Sequence, residues 1–292
     1  MDDKQLEEYE ASFIDQFNCP LNFDFVIDTP PKNKKGKPIG GNNVLHFNST
    51  NRTLTTGSKQ FVEDYLSDAQ ICQSESQVLQ YAVNEARRLN PEKERGIFLE
   101  FGFCTGRTLN FIAALGFDRT VYGFDSGNGL PYAWEGKEEA FPIGRFRYTK
   151  KFAIEGKNMI LKPRGTNEAN AFIPFTPLPN VKLVMGEIGE SLSKFVEYIE
   201  KKKYSIDFIH IDTDIRQSCK SIYKHLKQLI KPNKTVIVLD EGFNYRNDIT
   251  SEEIWKNHEI KETEKFAKSN ALHIDYIAYN EFHQQVALIF TK

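Results

Sequence analysis

Apolar residues recur in two rhythms between Gly96 and Thr291. Short continuous runs, GIFLEF (96–101), TVYGFD (120–125), VKLVMG (181–186), DFIHID (207–212) and TVIVLD (235–240), have the length of strands buried on both faces. Between them lie stretches with apolar residues at helical spacing, such as ESLSKFVEYIEKKK, where Leu192, Phe195, Val196 and Ile199 share a face. This alternation predicts an α/β fold, a mainly parallel sheet covered on both faces by helices. The last two runs, HIDYIAYN and QQVALIFT, are too close together for a crossover helix and predict an antiparallel hairpin. The expected central sheet therefore has seven strands.

Upstream, ESQVLQYAVNEARRLN places Val78, Tyr81, Ala82 and Ala86 at helical spacing, and Asn90-Pro91 stops the helix. Residues 1–60 show no sustained helix or strand period and include the turn-rich TPPKNKKGKPIGGNN (29–43), so they are expected to form an irregular arm or cap. The main domain is expected at 61–292. Within it, the segment at about 126–180 is far longer than a simple crossover needs, and its aromatic, proline and basic residues predict a lid or substrate-binding insertion.

Composition narrows the function. A hydrophobic content of 40% over 292 residues supports a sizeable core, and a formal charge of -2 gives no global pull towards nucleic acid or anionic lipid. No apolar run reaches the roughly 18 residues of a membrane span, and the acidic start MDDKQLEEYE is unlike a signal peptide, so a cytoplasmic protein is expected. Cys19, Cys72, Cys104 and Cys219 lack metal-site or disulfide-framework spacing and are expected as free thiols. A small-molecule enzyme or a protein-binding module fits best; a homo-oligomer is left open.

Open α/β sheets bind ligands beyond the carboxyl ends of their strands. There this chain places Glu100, Asp125, Asp212, Asp240 and Glu241, five carboxylates expected to converge on one rim. LEFGFCTGRTLNFIAALG reads as strand, glycine turn and helix, with Gly102 and Gly106 allowing close backbone approach to a ligand. Cys104 breaks the G-x-G-x-x-G fingerprint, which argues against a nicotinamide-dependent oxidoreductase. Asp125, ending the next strand, is placed to take the hydroxyls of a ribose. Together these features predict nucleoside binding.

Glu100-x-Gly102-x-x-x-Gly106 with Asp125 resembles the cofactor site of class I S-adenosylmethionine-dependent methyltransferases, which share a Rossmann-like sheet ending in an antiparallel hairpin. The blocks YGFDSGNGLP, HIDTDIRQSCKSIYKHL, VIVLDEGFNY and the C-terminal run resemble the macrocin O-methyltransferase-like group, which methylates sugar hydroxyls. The resemblance covers about Gln77 to Thr291. It implies that Glu100 helps hold the methionine part of S-adenosylmethionine over the turn Gly102, Thr105 and Gly106. It further implies that Asp125 and Ser126 take the ribose, that Gly186 and Ile188 border the adenine, and that magnesium is held by Asp212, Asp240 and Glu241.

Such a cation would orient an acceptor hydroxyl and lower its pKa, and hard cations prefer oxygen ligands. Asp212 is also a candidate to accept the hydroxyl proton. Asp214 is expected to cap the helix starting near Ile215. His210 is expected as a packed, hydrogen-bonded strand residue; His258 is either a catalytic group facing the acceptor or a solvated helix start. The implied function is magnesium-assisted O-methylation of a small hydroxylated acceptor, such as a sugar. Rival readings are a metal-independent methyltransferase and a non-catalytic nucleoside-binding scaffold.

Overall fold

A computed structural model describes residues 1–17, 54–92, 95–134, 141–147, 175–244, 254–280 and 284–292, and the strands at 25–27, 148–154 and 157–161. The turn-rich 29–43 segment, Cys19 and much of the insertion lie outside the described residues.

The first element is α1 (Asp3–Ala11), a helix within the span read as an arm or cap: Asp2 and Gln5 form a reciprocal capping box that closes its first turn. Phe13 then packs edge-on against Tyr122 and Tyr198, and Ile14 exchanges backbone hydrogen bonds with Leu183. Strand β1 (Phe25–Ile27) follows, then α2 (Thr56–Phe61), capped by Thr55 and continued by a π-helical turn, Val62–Leu66. Next come β2 (Gln70–Ile71) and α3 (Glu75–Leu89), whose N-cap Ser74 accepts from Gln77 N–H. The buried face of α3 is Val78, Leu79, Ala82, Val83 and Ala86; Tyr81, expected on that face, is exposed.

The alternating part runs β3 (Gly96–Phe101), α4 (Arg107–Leu115), β4 (Thr120–Asp125), the insertion with β5 (Tyr148–Ile154) and β6 (Lys157–Leu161), then β7 (Val181–Met185) and α5 (Ile188–Lys202). It closes with β8 (Ser205–Ile211), α6 (Arg216–Leu226), β9 (Val236–Leu239), α7 (Glu259–Ser269), β10 (His273–Tyr279) and β11 (Val286–Thr291). The central sheet has the order β2-β10-β11-β9-β8-β3-β4-β7. It is mostly parallel, with β11 antiparallel to both β9 and β10. The strand count is eight where the sequence predicts seven, because the two-residue β2 joins the outer edge beside β10.

Helices α5, α6 and α7 bury Leu192, Phe195, Ile222 and Phe266 in the core cluster on one face of the sheet. The other face is filled from α3 and α4, with Val78, Ala82, Leu109 and Ile112 against Phe98 and Phe208. Strand β1 pairs antiparallel with β5, and β5 with β6, so the N-terminal segment and the insertion share one small three-stranded sheet. Among the described residues no helix is long and apolar enough to cross a membrane.

Strand order reverses between the parallel neighbours β3 and β8: β4 and β7 extend the sheet on one side, β8 and β9 on the other. Such a switch point opens a crevice at the carboxyl ends of the strands.

Candidate functional site

Backbone hydrogen bonds just past the strands hold the rim level. Gly102 N donates to Phe124 O, Asp212 N to Phe101 O, Asp240 N to Ile211 O and Gly186 N to Asp125 O, all at 2.8–3.0 Å. The glycine turn is left-handed at Gly102 (φ +90°), Cys104 (φ +40°) and Gly106 (φ +70°). A Cβ on Gly102 would strike the Asp212 carbonyl, and one on Gly106 would strike the Phe175 ring, so both positions require glycine.

Asp125 is tied to this turn. Its Oδ2 accepts from Cys104 N–H at 3.0 Å and its Oδ1 from Gly127 N–H at 2.7 Å. A carboxylate has about four acceptor sites, so both oxygens keep capacity for further donors. Cys104 is half-buried, and burial followed by the Asp125 charge pushes its thiol well above the usual range, as suits an inert packed side chain. Thr105 is exposed on the turn; Gly186 (φ +136°) and Ile188 follow β7. Ser126 and Asn128 both hydrogen-bond Glu187, a rim residue not singled out from the sequence.

Glu100 is fully buried at the switch point. Its Oε1 accepts from the Thr108 hydroxyl and faces His210 Nδ1 at 3.2 Å. His210 Nε2 lies 3.8 Å from Asp240 Oδ1, so this imidazole bridges two carboxylates, the packed and hydrogen-bonded histidine expected of the strand. Burial disfavours its charge, but Asp240 and Glu100 outweigh that and raise its pKa well above normal.

Asp212, Asp240 and Glu241 come together, one carboxylate oxygen from each lying within 4.8 Å of the others; Glu100, His210 and Asp212 form a second such group. Burial, then the Asp240 charge, raises the carboxyl groups of Asp212 and Glu241 well above the ordinary range. Asp240 behaves oppositely: burial raises it, but the charge of His210, 3.8 Å away, and the hydrogen bond from Gln285 bring it below normal. Glu241 is 1% exposed, and its Oε2 has no hydrogen-bond partner among the described residues. An all-oxygen donor set containing a buried, unsatisfied carboxylate oxygen fits a hard divalent cation.

Four residues not singled out from the sequence act on this trio. Glu259 is completely buried and its Oε2 accepts from Glu241 N–H at 3.1 Å. Gln285 donates to Asp240 Oδ1 at 2.5 Å and Gln284 to Glu241 Oε1 at 3.4 Å. Glu75, paired with Arg107 at 2.9 Å, is raised first by burial and then by Asp240.

Two expectations need correction. Asp214 does not cap α6: Ile215 is the N-cap, without a side-chain hydrogen bond, and Asp214 is itself left-handed (φ +60°). His258 is not a solvated helix start, since it is fully buried beside Glu259.

No family model matches this chain, and no curated protein matches it. Among solved structures it is similar to the calicheamicin methyltransferase CalS11 (18% identity, TM-score 0.47), over 72% of this chain and 77% of that one. It is also similar to the O-methyltransferase NovP, with 12% identity and a TM-score of 0.41 over 73% of this chain and 79% of that one. A Bacillus cereus O-methyltransferase in complex with SAH gives 16% identity and a TM-score of 0.39 over 76% of this chain and 83% of that one.

Proposed function

We propose that this chain is an S-adenosylmethionine-dependent O-methyltransferase whose acceptor is a small hydroxylated molecule, such as a sugar or glycoside, and that a magnesium ion assists it. The observation that carries this reading is the direct contact between the glycine turn and the acidic trio, Gly102 against the Asp212 backbone. A nucleoside-holding turn and an oxygen-rich cation locus thereby occupy one crevice.

Asp125 would hold the ribose hydroxyls, its carboxylate already fixed by two backbone N–H donors. Glu100, Gly102, Thr105, Gly106 and Ser126 would line the remainder of the cofactor cleft, with Gly186 and Ile188 at the adenine end. Asp212, Asp240 and Glu241 would hold the ion. When bound, the cofactor supplies an electrophilic methyl group and the ion a Lewis acid that lowers the acceptor hydroxyl pKa.

Asp212 is the residue assigned to receive the hydroxyl proton, because it sits where the glycine turn meets the acidic trio. His258 is buried at the start of α7 and is a candidate second group on the acceptor side. Residues 1–60 and the insertion at 126–180, which share the β1-β5-β6 sheet, are assigned to the acceptor cap.

The test is methyl transfer from radiolabelled S-adenosylmethionine to a panel of sugars and glycosides, with and without chelator. Transfer that stops on chelation and returns with magnesium supports the whole reading. Chelator-insensitive transfer would remove the ion from it, and tight cofactor binding with no transfer to any acceptor would favour the scaffold.

A further inference from the structure

We infer that Gln285 and Glu259 are positioning residues that preset the Asp240–Glu241 turn for a divalent cation, with Gln284 as a weaker third support. The inference rests on the proposed cation site and names what would set its affinity.

The three residues come from two elements that the sequence gives no reason to join. Gln284 and Gln285 precede β11, where consecutive side chains of an extended strand would point to opposite faces. Gln284 is left-handed (φ +60°), which breaks that alternation, and the two amides reach the consecutive carboxylates Glu241 and Asp240. The Gln284 backbone also takes part, its carbonyl accepting from Phe243 N–H at 3.0 Å. From the opposite side, Glu259 at the start of α7 accepts the Glu241 N–H.

Gln285 and Glu259 are both fully buried, so neither is a surface contact free to rearrange. Gln285 Oε1 and Glu259 Oε1 have no hydrogen-bond partner among the described residues. Among the described residues the side-chain amide of Gln285 is held by Asp240 alone, and Glu259 adds a fourth acid to a cluster whose nearby cationic groups are His210 and Arg107. Packing a further buried carboxylate against Asp240 and Glu241 is unfavourable without a cation. The buried, unsatisfied Glu241 Oε2 within the same cluster points to the ligand that would offset it.

The experiment is a titration of the purified full chain with Mn²⁺ alone, following free Mn²⁺ by electron paramagnetic resonance, with thermal melts recorded in parallel. The variants are Gln285→Met, which keeps length but removes the donor, Glu259→Ala, Glu259→Gln, which keeps an acceptor for Glu241 N–H, and Asp240→Asn. Wild type should bind one ion and Asp240→Asn should lose it. Gln285→Met and Glu259→Ala should each weaken binding about tenfold or more, the usual weight of a hydrogen bond to a charged group, whereas Glu259→Gln should stay near wild type. A lower melting temperature in Gln285→Met with unchanged Mn²⁺ affinity would overturn the inference and leave the cation site standing. Absence of Mn²⁺ binding by the wild type would overturn both. If Glu259→Ala does not fold, Gln285→Met against Glu259→Gln still decides.

Discussion

The backbone of Gly102 packs against the carbonyl oxygen of Asp212 so closely that a Cβ at Gly102 would lie 1.8 Å from it. The turn after β3 and the first residue beyond β8 are thus one mechanical unit at the switch point of the sheet. Any side chain at 102 must push Asp212 out of the acidic trio, because the obstruction is main chain and cannot rotate away.

Gly102→Ala should therefore damage two functions together. The left-handed backbone alone costs a non-glycine residue about 1–3 kcal/mol, before the clash is counted. Calorimetry should show weakened S-adenosylmethionine binding and weakened divalent-cation binding in the same variant; loss of one with full retention of the other would separate the two sites.

Asp125 and Asp212 should divide by step. Asp125→Ala removes the acceptor of two backbone N–H groups and of the proposed ribose contact, so cofactor affinity should fall about tenfold or more. Asp212→Ala should leave cofactor affinity near wild type and abolish single-turnover methyl transfer. Near-normal turnover by Asp212→Ala would remove Asp212 from the mechanism.

Docking of the N-terminal helix should fail in acid. Burial raises the Glu10 pKa, but hydrogen bonds from Lys202 (2.8 Å) and Tyr198 (3.0 Å) outweigh it and bring it below its ordinary 4.5. A depressed carboxyl contributes stability that is present above its unfolded value and lost as pH falls through the folded value. Protease susceptibility of residues 1–17 should thus rise as pH drops below about 4.5, and Glu10→Gln should flatten that dependence.

At the opposite end of the sheet, Arg119 is 1% exposed in its side chain and pairs with the equally buried Asp207 at 3.2 Å. It also donates to Asn90 O at 2.6 Å. Arg119→Ala would strand the Asp207 charge and should cost about 3–5 kcal/mol in urea denaturation, without altering cofactor affinity in the folded protein. The double variant Arg119→Met, Asp207→Leu should recover most of that loss.

Much of this molecule is legible in its sequence because strands and helices carry the two periods of hydrophobic burial. The seven longer strands of the central sheet are such cases. Strand β2 is not, since two exposed residues have no period to read, and it exists by pairing with Ala278 and Tyr279. Helix α1 escapes for a related reason: it buries no residue, so no apolar stripe announces it, although Asp2 and Gln5 spell its capping box. In the candidate site, strand-end position locates Glu100, Asp125, Asp212, Asp240 and Glu241. Glu259, Gln284 and Gln285 are hidden because an acid in a first helical turn and polar residues before a strand each have an ordinary local explanation. Their partners are 18 to 45 residues away in the chain, and only the folded sheet brings them together.

The central claim is tested most directly by calorimetric titration of the full chain with S-adenosylmethionine, in the presence and absence of magnesium, with NAD as the control. Saturable micromolar binding of S-adenosylmethionine, none of NAD, and loss of that binding in Asp125→Ala is the predicted result. No binding of S-adenosylmethionine under either condition would contradict the assignment of Glu100, the glycine turn and Asp125 as a cofactor site.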